Sequence, residues 1–126
     1  MKSDPAVVAC DLTVFTPEER KAHVQRAETL MPTAEIEELP GGFIYRYPDR
    51  PGLVQDIGEF VEGERNCCPF FTFELRVEPA GTHVRLTIQG PPEGKEALRA
   101  GLQLMKEGFR GEEAEKAFAQ RTGARV

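Results

Sequence analysis

The sequence predicts an α+β fold, a two-layer sandwich whose antiparallel or mixed sheet of about five strands carries helices on one face. Three observations point there. Two turn signals, Pro40-Gly41-Gly42 and Pro79-Ala80-Gly81, each join a pair of short strand-like runs, as in hairpins. Leu53, Val54, Ile57, Phe60 and Val61 recur at the three- and four-residue steps of a helix, as do Leu98, Leu102, Met105 and Phe109. The period then switches from helical to alternating within a few residues of Pro69.

Residues 1–5 read as a loose start. Val8, Cys10, Leu12 and Val14 alternate with Ala9, Asp11 and Thr13, predicting a first strand with Cys10 on its apolar face. Thr16-Pro17-Glu18-Glu19 is a helix entry: Thr as N-cap, Pro at the first helical position and Glu19 at the capping-box position. That helix points Ala22, Val24, Ala27, Leu30 and Met31 inward and stops at Pro32; His23, between Lys21 and Gln25, reads as solvated surface. The first hairpin spans 34–39 and 43–47, with Phe43, Tyr45 and Tyr47 forming an aromatic core face rather than a ligand platform.

Pro48 to Gly52 turns the chain into the second helix, residues 53–64, whose stripe continues through Glu64 to Cys68. Pro69 ends it, and Phe71, Phe73, Leu75 and Val77 then point inward along a strand. Val84, Leu86 and Ile88 face inward from the next one, with His83 outward. Gly90-Pro91-Pro92-Glu93-Gly94-Lys95 opens the third helix; it lacks the glycine spacing and the Ser/Thr of a P-loop. A short helical extension follows at about residues 112–121, and the last few residues are expected to fray. The order β-α-β-β-α-β-β-α resembles in part a ferredoxin-like unit, a likeness of fold that carries no function.

With 126 residues the chain, 1–126, reads as a single α+β domain. A net charge of −5 argues against a nucleic-acid surface. No apolar run reaches the length of a membrane span, and the first residues lack the apolar core of a signal peptide. Three cysteines cannot pair fully within one chain, so a reducing cytoplasm is the expected location.

The chain is organised around Glu64-Arg65-Asn66-Cys67-Cys68-Pro69-Phe70-Phe71-Thr72-Phe73-Glu74-Leu75, which puts adjacent thiols at a corner between helix and strand. Together with Cys10-Asp11-Leu12-Thr13 and Gly90-Pro91, this stretch resembles a family of small uncharacterised bacterial proteins with an early cysteine and an E-R-x-C-C-P-F-[FL]-x-F core. The likeness covers roughly residues 8–105. It implies that Cys10, Cys67 and Cys68 belong to one pattern and names no activity.

Three thiols with the carboxylate of Glu64 suit a soft metal or metalloid ion: Zn(II), Cu(I), Hg(II) or As(III). Thiol redox or covalent chemistry at the same cysteines is the alternative. It meets an obstacle, because a helix C-terminus and Glu64 both disfavour a thiolate. A disulfide would join Cys10 to Cys67 or Cys68 more readily than it would join the neighbours. In the third reading the cysteines are packing groups of a noncatalytic domain that binds a small ligand, a protein or a second copy of the chain. The metal reading requires Cys10 to lie within roughly 8 Å of the other sulfurs. If Glu64 lies on the buried stripe beside Cys68, it must find a partner, for which Arg46, Arg76 and Arg85 are the candidates.

Overall fold

The computed structural model describes residues 8–126; the loose start expected over residues 1–5 lies outside them. Four helices and four strands follow a 3₁₀ turn at Leu12–Val14. They are α1 (Pro17–Leu30), β1 (Glu35–Leu39), β2 (Gly42–Pro48), α2 (Leu53–Cys67), β3 (Thr72–Val77), β4 (His83–Gln89), α3 (Pro92–Lys106) and α4 (Gly111–Thr122). The strands form one antiparallel sheet in the order β1-β2-β4-β3, so β4 sits between β2 and β3. The fold is therefore α+β, with four strands in the described sheet rather than about five.

The missing strand is the one expected over Val8–Val14. Asp11 diverts the chain: its carboxylate accepts from the Thr13 amide at 3.0 Å and caps the 3₁₀ turn. The backbone groups that would have entered a sheet are used elsewhere. The Asp11 amide donates to the Cys67 carbonyl at 2.8 Å, and the Leu12 amide donates to the Arg125 carbonyl at 2.8 Å. The Arg125 amide donates in turn to the Cys10 carbonyl at 2.9 Å. The C-terminal residues, expected to fray, are thus tied to the Cys10 segment, and Ala124 is buried there.

Alternation decides which face of the sheet is covered. Phe43, Tyr45, Tyr47, Val84, Leu86 and Ile88 are buried with Leu30, Leu53, Ile57 and Phe60 of the helices in one apolar cluster. On the same cluster pack Leu98, Leu102 and Met105 of α3. β3 falls short of its expected burial because it is an edge strand: Leu75 and Val77 remain 41% and 55% exposed. A second, smaller cluster holds Cys10, Leu12, Cys67, Cys68, Ala97 and Ala124, with Phe70, Phe71 and Phe118 against it. No helix among the described residues is long and apolar enough to cross a membrane.

Two devices fix α3 and α4 over this framework. Arg99 and Lys95 of α3 both reach Glu38 of β1 at 2.9 Å, and hydrogen bonds from these cations draw its carboxyl down to about 2. α4 is held to α1 by the Gly111 amide donating to Glu28 at 2.7 Å and by Arg20 against Glu115 at 3.0 Å. Gly108 and Gly111, both at positive φ, make the tight turn between α3 and α4 that no other residue type enters cheaply.

Candidate functional site

The site grows from the junction of α2 and the Cys10 segment. α2 remains helical through Cys67; Cys68 leaves it at φ −131° and ψ 71°, as Pro69 requires of its predecessor. The Cys68 amide still donates to the Glu64 carbonyl at 2.7 Å, so the corner is closed by a backbone hydrogen bond. The two neighbouring thiols consequently diverge. Cys67 stays on the face of the helix that carries Glu64 three residues earlier, and Cys68 turns to meet Cys10.

Cys10 and Cys68 form a disulfide, with Cα atoms 4.6 Å apart. Cys67 is the one unpaired cysteine; its sulfur lies 3.5 Å from that of Cys68, and all three cysteines are buried. Cys10 therefore does meet the Cys67–Cys68 corner, although by a route the alternation did not suggest. It arrives on an irregular segment pinned to the end of α2, not on a strand beside β3.

Beneath the corner, Phe70 and Phe71 meet edge to face, with ring centres 4.7 Å apart. They press on the start of α3, where Gly90 and Gly94 leave the room they need. A Cβ on Gly90 would come within 2.8 Å of the Phe71 ring, and one on Gly94 within 2.9 Å of both rings. The Gly90-to-Lys95 segment thus serves close packing of the aromatic pair.

Glu64 lies at this corner, and its partner is His23. None of Arg46, Arg76 and Arg85 reaches it: they lie on the sheet face opposite Tyr45 and Leu86, with Arg46 paired to Glu37 and Arg76 to Glu78. Nε2 of His23 stands 3.2 Å from Glu64 Oε1. His23 is 6% exposed, which corrects its reading as solvated surface. Its ring lies against Phe60, 5.5 Å away and nearly parallel, and 5.2 Å from Phe15. Its Nδ1 is buried without a hydrogen-bond partner. The ring can come this close to α2 only because residue 63 is glycine: a Cβ there would lie 2.2 Å from Nδ1.

These surroundings act on Cys67. Burial pushes its thiol far above the ordinary range, and the nearby Glu64 carboxylate pushes it further. Even so, a ring nitrogen of His23, a carboxylate oxygen of Glu64 and the sulfur of Cys67 all lie within 4.8 Å of one another. A cavity of about 170 Å³ opens onto this group. Its walls include Cys10, Cys67, Cys68, His23 and Glu64, and apolar side chains of α1, α3 and α4 such as Leu102, Met105 and Phe118.

Of the residues singled out from sequence, Cys10, Cys67, Cys68 and Glu64 come together and His83 stays outside, on the opposite sheet face. His23 was missed. The signal for it lay in helical spacing: Arg20, His23, Ala27 and Leu30 share a face, whereas the polar neighbours Lys21 and Gln25 point elsewhere. No family model, no curated protein and no solved structure matches this chain, so the chemistry rests on these residues.

Proposed function

We propose that the protein binds a soft metal or metalloid cation through the thiols of Cys10, Cys67 and Cys68, in the form where the Cys10–Cys68 disulfide is reduced. The observation that carries this reading is the convergence of all three sulfurs at one buried corner. Adjacent cysteines alone chelate poorly, and Cys10 supplies the third donor that thiophilic ions such as Hg(II), As(III), Cu(I) or Zn(II) favour. Opening the site is a balanced exchange: a dithiol of the reductant is oxidised to its disulfide while the Cys10–Cys68 bond is cleaved to two thiols.

Electrostatics favours this reading over thiol nucleophilicity. The Glu64 carboxylate, the C-terminal end of α2 and the low polarity around Cys67 all oppose a lone thiolate. The same negative potential attracts a cation, which can neutralise the thiolates it displaces protons from. One observation favours thiol–disulfide exchange as the second reading: the Cys67 sulfur lies beside a disulfide sulfur. Attack there would have to close a ring between neighbouring residues, and Cys67 is held as the thiol.

Stability limits what the ion must supply. The disulfide spans 58 positions, a closure worth about 4 kcal/mol in the chain-entropy model. An ion at roughly 1,000 times its Kd restores about 4 kcal/mol, so a tight ligand can hold the reduced chain as firmly as the disulfide does. The test is titration of the reduced protein with Hg(II), As(III), Cu(I) and Zn(II), following thiolate-to-metal absorption. At least one ion is expected to bind at one per chain and to lose its absorption in each of Cys10→Ser, Cys67→Ser and Cys68→Ser. Binding no tighter than that of the triple Cys→Ser variant, for every ion, would sink the proposal.

A further inference from the structure

We propose that the disulfide-bonded protein holds a second kind of cation site, made of His23, Glu64 and Cys67, suited to a borderline divalent ion such as zinc. In the oxidised form Cys10 and Cys68 are consumed by each other, so a three-sulfur site does not exist. Three donors of different types nevertheless remain together: an imidazole nitrogen, a carboxylate oxygen and a thiol sulfur within 4.8 Å. Zinc takes these types at about 2.0–2.3 Å, so an ion centred among them needs sub-ångström to ångström shifts of side chains only. One nitrogen, one oxygen and one sulfur are poor company for Cu(I) or Hg(II) and a good set for zinc, with water as the fourth ligand.

Independent features point to the same group. His23 is buried with Nε2 3.2 Å from Glu64 and Nδ1 without a hydrogen-bond partner, so one ring nitrogen is left without a protein partner. Gly63 is the single residue type that lets the imidazole reach α2 at that height. The adjoining cavity of about 170 Å³ gives an ion an approach and a coordinating water a place. Binding releases one proton from Cys67 as its S–H bond is replaced by a bond to zinc, with no oxidant or reductant required.

The disulfide thereby selects the ion: a soft ion on three sulfurs when it is reduced, zinc on nitrogen, oxygen and sulfur when it is formed. Only the reduced half of this statement rests on the function proposed above. The oxidised half is tested apart from it, in the absence of reductant.

Co(II) serves as the coloured probe for zinc. Added to the oxidised wild-type protein, it should give tetrahedral visible bands with a sulfur-to-cobalt transition, bleached by one equivalent of zinc. His23→Gln, Glu64→Gln and Cys67→Ser, each checked for its far-UV spectrum and for an intact Cys10–Cys68 bond, should each weaken zinc binding. The loss expected exceeds the roughly 10–100-fold typical of an outer-shell partner. Three substitutions at separate positions keep the test decisive should one variant fail to fold. Absence of the sulfur-to-cobalt transition in the oxidised wild type, or zinc affinity unmoved in the folded variants, would overturn the proposal. Soft-ion titration of the reduced wild type is a different measurement, and its failure leaves this result standing.

Discussion

Cys67 is buried, and its surroundings hold down its reactivity. Burial first, and Glu64 second, hold it as a thiol. Alkylation of Cys67 by a small electrophile is therefore expected to be slow near neutral pH, and Glu64→Gln should move its pH–rate profile to lower pH. An unshifted profile would show that Glu64 does not act on the thiol. The linkage to stability has a definite sign. A thiol whose folded pKa lies above its unfolded value of about 8.5 contributes nothing adverse below that value, and the fold loses stability as pH rises beyond it. Tyr45 and Tyr47, likewise pushed up by burial, extend the loss above about 10. Urea unfolding at stepped pH should show the decline beginning near 8.5, and Cys67→Ala should postpone it. At this scale the sequence was readable where a residue's neighbours along the element are also its neighbours in space. Glu64 came within one residue of that: the stripe put it on the face of Cys68, but Cys68 leaves the helix ahead of Pro69 and Cys67 is the thiol that stays beside Glu64. His23 meets Glu64 across 41 positions, a meeting that nothing within its own helix specifies.

α2 carries two internal glycines that ought to respond in opposite ways. A Cβ on Gly58 meets nothing within 4 Å, whereas one on Gly63 meets the buried His23 ring at 2.2 Å. Gly58→Ala should stabilise the protein by about 0.5–1 kcal/mol through helix propensity alone. Gly63→Ala gains the same propensity and must displace a ring packed between Phe15 and Phe60, so a net loss of about 1–2 kcal/mol is expected. Chemical-denaturation midpoints of the two variants decide it; a stabilised Gly63→Ala would mean that the imidazole is free to move. Helices, hairpins and caps were legible in this chain because each has a local cause, as in the capping box of Thr16 and Glu19. The Val8–Val14 run failed the same reading for a reason that is also local. Its alternation is that of a strand, but the Asp11 side chain competes for the backbone and wins. The edge position of β3 was not legible, since strand order depends on which pairs form and not on the pattern within one strand.

Across the whole molecule the disulfide draws a boundary that the secondary structure does not follow. Joining residue 10 to residue 68 encloses α1, β1, β2 and α2 in one covalent ring and leaves β3, β4, α3 and α4 outside it. The sheet crosses that boundary, because β4, outside, is paired along its length with β2, inside. Mechanical load applied through the two ends of the chain would therefore peel β4 from β2 and extend only the outer segments. The enclosed 58 steps, roughly 200 Å of contour at 3.3–3.6 Å per residue, stay sheltered from the force until the sulfur bond is cut. Single-molecule stretching with and without a dithiol should differ by that hidden length, and equal extensions would show that residues 10 and 68 are not linked. The same arithmetic makes the protein a length reporter for its own oxidation state, since one broken bond lengthens its stretched form by many times the 4.6 Å that separates the two Cα atoms in the folded state.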